Sequence, residues 1–129
     1  MSIRIVRLGS RRAKDEGLRI GTVRRPPRGV PKLDYVARDF YDVWLPELAP
    51  SEDLLRKARS ILKDEASWRR FERAYRKEMK SPEARHLLGL VAAMSHQTNM
   101  AVGCYCEDES RCHRSILREL LLEHGATIE

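Results

Sequence analysis

Residues 100–114 read Met100-Ala101-Val102-Gly103-Cys104-Tyr105-Cys106-Glu107-Asp108-Glu109-Ser110-Arg111-Cys112-His113-Arg114, and this stretch decides the fold. Positions 100–105 are apolar or small throughout, which predicts a buried strand. Glu107 to Ser110 predict a turn. From Arg111 to Glu123 the leucines recur at helical spacing, with Ser110 placed to cap the helix and Gly125 to end it. Ala126-Thr127-Ile128 predict one short edge strand. Strand, turn and helix in this order are the unit of an α/β domain. Open α/β sheets hold ligands outside the carboxyl ends of their strands, so the turn at 106–110 is where chemistry is expected.

Working back toward the start, Ser81-Pro82-Glu83 opens a largely apolar helix, with Ser81 as cap and proline at its first position. Trp68, Phe71, Tyr75 and Met79 put an aromatic stripe on one face of a helix over about 67–79, a core face by its spacing. Ser51 caps a helix that runs to about residue 64, and Glu52 and Asp53 complement the positive end of its dipole. Asp42 to Leu45 predict a short buried strand stopped by Pro46. Ile3 to Leu8 alternate apolar and basic residues, and Leu18 to Val23 form a second strand. The link between these two is under ten residues, short for a parallel crossover, so an antiparallel pair is expected. The resulting expectation is α/β: a single domain over 1–129, a mixed and mostly parallel sheet, and about four flanking helices.

At 129 residues and 42% hydrophobic, the chain can bury one core without disulfides, and 34% charge is too high for a membrane protein. No apolar run approaches the ~20 residues of a spanning helix. The first residues carry no signal-type apolar block, which predicts a cytoplasmic protein with no membrane partner. The net charge is +6, and the excess is local. Residues 1–32 hold eight Arg and two Lys against one Asp and one Glu, a balance of +8, and the rest sums to −2. Guanidinium groups grip phosphate in a bidentate way. This points to a phosphate-bearing ligand, a nucleotide or nucleic acid, met by Arg24, Arg28, Ser110 and Arg114 at the last helix's N-terminus. The plainer reading of the same arginines is solvated surface or internal ion pairing.

All three cysteines, Cys104, Cys106 and Cys112, fall within nine residues. In a cytoplasmic chain that argues against a disulfide framework. Cys106 at the strand end is the candidate exposed thiol. Cys112 shares a helix face with Ile116 and Leu120, so a packed core thiol is its plainer reading, and Cys104 is expected to be buried. Cys106 or Cys112 as nucleophile, with His113 as base, is the second function class. Cys106 to Arg111 matches a rhodanese-type loop in length, but three carboxylates in it would repel an anion. A structural zinc site is a third possibility. It is disfavoured because Cys104 and Cys106, if both lay on one strand, would stand ~6.5 Å apart. No metal and no cofactor are expected.

Arg24-x-x-Pro27-Arg28-Gly29, then Trp44-x-x-Glu47-Leu48-Ala49-Pro50-Ser51, then Trp68-x-x-Phe71-x-x-x-Tyr75 together resemble the YeaO-like family of bacterial proteins. The wider group of uncharacterised domains around that family ends in a strand, a Cys, a charged turn and Cys-His-Arg, as Cys104 with Cys112-His113-Arg114 does here. The resemblance spans nearly the whole chain and implies a small cytoplasmic α/β domain with no established reaction. The chain departs from it at Val23, where an acid is usual, at Pro26, where an aromatic is usual, and at Cys106, where the wider group has a carboxylate.

Overall fold

The structure is a computed structural model that describes residues 1–61, 64–106 and 111–129, with residues 59–61 as backbone only. It is an α/β single domain with four strands: β1 (Ile3–Arg7), β2 (Leu18–Gly21), β3 (Val43–Trp44) and β4 (Met100–Cys104). The helices are α1 (Glu52–Ile61), α2 (Glu65–Glu78), α3 (Pro82–Met94) and α4 (His113–Glu123). The sheet runs β1-β4-β2-β3, and every pairing is parallel. No helix among the described residues is long and apolar enough to cross a membrane.

The expected antiparallel β1–β2 pair is therefore corrected: β4 lies between them. Residues 8–17 can reach about 33 Å when extended. Returning along a five-residue strand and stepping over one neighbour takes only about 20 Å. A bare crossover fits without a helix. It spreads over one sheet face while all four helices pack on the other. Ile3, Ile20, Met100 and Val102 meet Leu54, Phe71, Leu88 and Leu117 in the main core. At the alternate positions Arg19 and Gly21 face the crossover side. There Tyr41 lies so close that a Cβ on Gly21 would sit 2.4 Å from its ring.

The helix ends follow their caps. The Ser51 hydroxyl accepts from Leu54 N and donates to Glu78 of α2, which ties the start of α1 to its neighbour. Asp64 caps α2 and Ser81 caps α3. Trp68, Phe71 and Tyr75 stack at 5.4 and 6.3 Å, and Tyr75 donates to Leu48 O at 2.6 Å. Strand β3 is an edge strand with Val43 and Trp44 about two-fifths exposed, not the buried strand expected. Ile128 makes a single parallel bridge to Ile3 on the outer side of β1.

Gly17 turns the crossover into β2 at φ +80°, and a Cβ there would sit 2.0 Å from Asn99 O. Left-handed backbone costs a non-glycine residue about 1–2 kcal/mol before the clash is counted. Gly17→Ala should lower the urea midpoint by the equivalent of at least ~2 kcal/mol. An unchanged midpoint would mean that this approach is looser than described.

Candidate active site

The chain leaves β2 toward β3. After β4 it runs through α4 to the opposite edge of the sheet, where Ile128 meets Ile3. Connections out of the neighbouring strands β2 and β4 thus diverge, which opens a crevice beyond their carboxyl ends. A cavity of about 280 Å³ lies there. Val23, Arg24 and Arg25 following β2, Cys104 to Cys106 ending β4, His113 of α4 and the first turns of α1 line it.

The arginine stretch and the start of the last helix therefore do share one hollow, but not every expected residue reaches it. Arg24 does. Its Nε donates to Pro50 O and its Nη2 to Ala49 O, both at 3.1 Å. Among the described residues no carboxylate pairs with it. Arg28 lines an adjoining hollow with Phe40 and Tyr105. Arg114 is turned inward, 3% exposed, and donates to Cys106 O at 2.6 Å, so it braces the main chain behind the thiol. Ser110 lies outside the described residues, as do Glu107, Asp108 and Glu109. The helix begins later than expected: Cys112 is its N-cap residue and His113 its first. Arg25 and Arg56 add positive charge to the rim, each paired with an exposed carboxylate of α1.

Part of the N-terminal positive excess is met in space by acids from outside the segment, Asp39, Asp42 and Glu129, while Asp15 and Glu16 pair within it. Arg4 pairs with Asp15 and Glu129, Arg12 with Asp39 and Asp42, and Arg19 with Glu16. Which acid meets which arginine is set by the fold, so the charge count along the sequence does not give the pairing.

The three sulfurs of Cys104, Cys106 and Cys112 all lie within 4.8 Å of one another. Sequence spacing predicted the reverse for the first two. The reason is that β4 ends at Cys104 and the chain bends at Tyr105, so the strand repeat no longer separates the side chains. Cys104 and Cys112 are buried as expected, within a small cluster with Leu8, Val23 and Tyr41, and Cys106 is exposed. Hydrogen bonds from Cys104 and Cys112 hold the Cys106 thiol well below its ordinary value, helped by the charge of Arg114. Cys104 is pushed up by donating to Cys106 and Cys112, and by burial. At Cys112 the bond from Cys104 works downward, but Cys106 and burial outweigh it and lift the thiol to about 11. The shift is downward at exposed Cys106 and upward at the two buried sulfurs, so Cys106 is the thiol of the three that gives up its proton most readily. The same set could serve a soft cation, since sulfurs within 4.8 Å of one another need only a small closure to meet one zinc at Zn–S distances of about 2.3 Å.

His113 packs edge-on to Tyr75, and its Nε2–H donates to Thr22 O at 2.7 Å. Its unprotonated Nδ1 then lies 3.8 Å from Cys112 Sγ. Burial lowers its pKa to about 4. The unfolded chain, with an ordinary imidazole, binds more protons between about pH 4 and 6.5, so stability is complete above that window. It falls by up to roughly 3 kcal/mol on acidification through the window. Urea unfolding at both ends of the window, with His113→Gln as control, checks this. The variant should lose that part of the pH slope, and an equal slope in both proteins would contradict it.

No curated protein and no solved structure matches the chain. A family model does match, over residues 3–125, and its description calls the subclade active without naming a reaction. That match carries the coarse part of the expected resemblance, a domain family of unknown function, and not the YeaO name. With its matched segment running from the first strand past the end of the last helix, the chain belongs to DUF488-N3a, the active DUF488-N3 subclade.

Proposed function

We propose that the protein is a thiol-dependent enzyme for a small anionic substrate, with Cys106 as nucleophile and Arg24 as the group that receives the substrate's charge. One observation carries this reading: a cluster of three sulfurs within 4.8 Å of one another presents Cys104 and Cys106 to a cavity whose wall includes Arg24, an arginine that among the described residues is bonded to carbonyls alone. A thiolate that two S–H groups stabilise is a nucleophile already ionised at neutral pH. A volume of about 280 Å³ suits a small molecule or one terminal group and not a nucleic-acid duplex. The expected phosphate-bearing ligand thus narrows to a compact anion. His113, held neutral, serves in this reading to orient the site and not as its base.

Site-resolved alkylation tests the proposal. Iodoacetamide should modify Cys106 first and fastest. Inorganic phosphate or sulfate should slow that reaction in the native protein and have little effect in Arg24→Ala. Equal, slow labelling of all three cysteines would overturn the nucleophile, and protection that survives Arg24→Ala would overturn the anion site.

The compact sulfur cluster also favours a second reading, a zinc-thiolate centre. On that reading the purified protein carries one equivalent of zinc by elemental analysis, and chelation unmasks the thiols. Metal-free protein with reactive Cys106 ends it.

A further inference from the structure

We propose that the three thiols form a dithiol reduction centre. Cys106 attacks a sulfur of a small anionic disulfide, and Cys112 then resolves the adduct into a Cys106–Cys112 disulfide. This rests on the reading of Cys106 as nucleophile and adds the reaction class and a second reacting residue.

The surroundings of Cys106 select the class. A nucleophile that forms acyl or phosphoryl adducts needs a water held against the adduct and a base to activate it. Here two further sulfurs lie within 4.8 Å of Cys106 Sγ and of each other, and both residues are 2% exposed. The nearby imidazole is 6% exposed, gives its Nε2–H to Thr22 O and turns its Nδ1 to Cys112 Sγ, so it is not placed to activate a water. A thiol at contact distance is useful for a different intermediate, one bonded through sulfur, because a thiolate cleaves an S–S bond by direct attack.

Cys112 and Cys104 are not equivalent partners. Cys104 ends β4 and is fixed along the β1 side: it is in register with Arg7, and its carbonyl accepts from Leu8 N at 2.8 Å. Cys112 lies outside the sheet, as the N-cap residue of α4, and its sulfur makes no capping bond but contacts the other two sulfurs and His113 Nδ1, the latter at 3.8 Å. Closing to an S–S bond of about 2.05 Å therefore falls to Cys112. Cys104 keeps its proton and acts as the donor, first to the Cys106 thiolate and then to the Cys112 thiolate that replaces it.

The steps balance. The Cys106 thiolate attacks one sulfur of R–S–S–R, forming Cys106–S–S–R and releasing RS⁻. With the charge gone from Cys106, Cys112 gives its proton to that departing thiolate. The Cys112 thiolate then attacks Cys106 Sγ, forming the protein disulfide and releasing the second RS⁻. The substrate disulfide is reduced by two electrons and the protein dithiol is oxidised by two. An external low-molecular-weight thiol restores the dithiol for another cycle. Arg24 supplies the preference for an anionic disulfide.

The probe is 5,5′-dithiobis(2-nitrobenzoate), an anionic disulfide whose released thiolate is coloured, mixed in equimolar amount with the reduced full chain. Native protein should release two equivalents of thiolate, keep no adduct by intact mass, and yield a Cys106–Cys112 disulfide on peptide mapping. Cys112→Ser should release one equivalent and retain the mixed disulfide on Cys106. Cys104→Ser should still release two, more slowly. A native protein that releases one equivalent and keeps the adduct overturns the resolving step and leaves the nucleophile standing. A Cys106→Ser variant that reacts as fast as native overturns the nucleophile itself. Zinc-loaded native protein that is silent until chelated overturns both.

Discussion

Glu16→Ala should cost the fold about 3–5 kcal/mol, the usual penalty for leaving one charge of a buried pair uncompensated. Arg19 is 0% exposed and Glu16 3%, and the two are joined by bonds of 2.7 and 2.8 Å. Arg19 Nη1 also donates to Ser10 O and Asp39 O, both at 2.7 Å, so the guanidinium ties β2 to two separate loops of the crossover face. With Glu16 removed, the Arg19 guanidinium keeps two carbonyl bonds and a longer-range attraction to Asp42, but no bonded carboxylate among the described residues. Burial alone would raise the Glu16 pKa, but the hydrogen bond and charge of Arg19 outweigh it and hold the carboxylate below its ordinary value. The pair's contribution is therefore present above the unfolded carboxylate range and is lost as the pH falls through the lower folded value. Urea unfolding near neutral pH checks the size of the effect. A loss under ~1 kcal/mol would mean that the pair is solvated in solution. Replacing both residues together with apolar ones of similar size should cost less than Glu16→Ala alone.

Cys106→Ser should lower the overall rate of thiol alkylation near neutral pH by at least about tenfold, while Cys112→Ser should lower it much less. An ordinary thiol is only a few per cent ionised there, whereas a thiolate held by two S–H donors is ionised fully, and that gain exceeds the loss of intrinsic nucleophilicity. The remaining two thiols are buried and protonated, so little reactivity survives without Cys106. Stopped alkylation followed by intact mass measures all three proteins. Equal rates in native protein and Cys106→Ser would place the reactive thiol elsewhere.

The helices were legible in the sequence because their signals are local. Ser51 and Ser81 cap where expected, and the Trp68, Phe71 and Tyr75 stripe becomes a stacked core face. Strand pairing was not legible, because a ten-residue link says nothing about which strand 80 residues later will slip between β1 and β2. The Glu16–Arg19 pair is invisible for a related reason: an acid three residues before an arginine looks the same whether water or protein surrounds it. In the candidate site, a hollow shared by the Arg24 stretch and the start of the last helix was expected from the rule that α/β ligand sites lie at the strands' carboxyl ends, but Arg114 turns inward and Arg28 lines an adjoining hollow. The meeting of three sulfurs was not. It depends on β4 stopping at Cys104, and the strand reading had carried the ladder one residue too far.

The most direct test of the site is a count of thiolates by ultraviolet absorbance as the reduced native protein is titrated. The predicted result is one thiolate per chain already present at about pH 6, below the ordinary thiol range, and lost in Cys106→Ser. Absorbance that develops only above about pH 8, with three groups of ordinary acidity, would contradict the account.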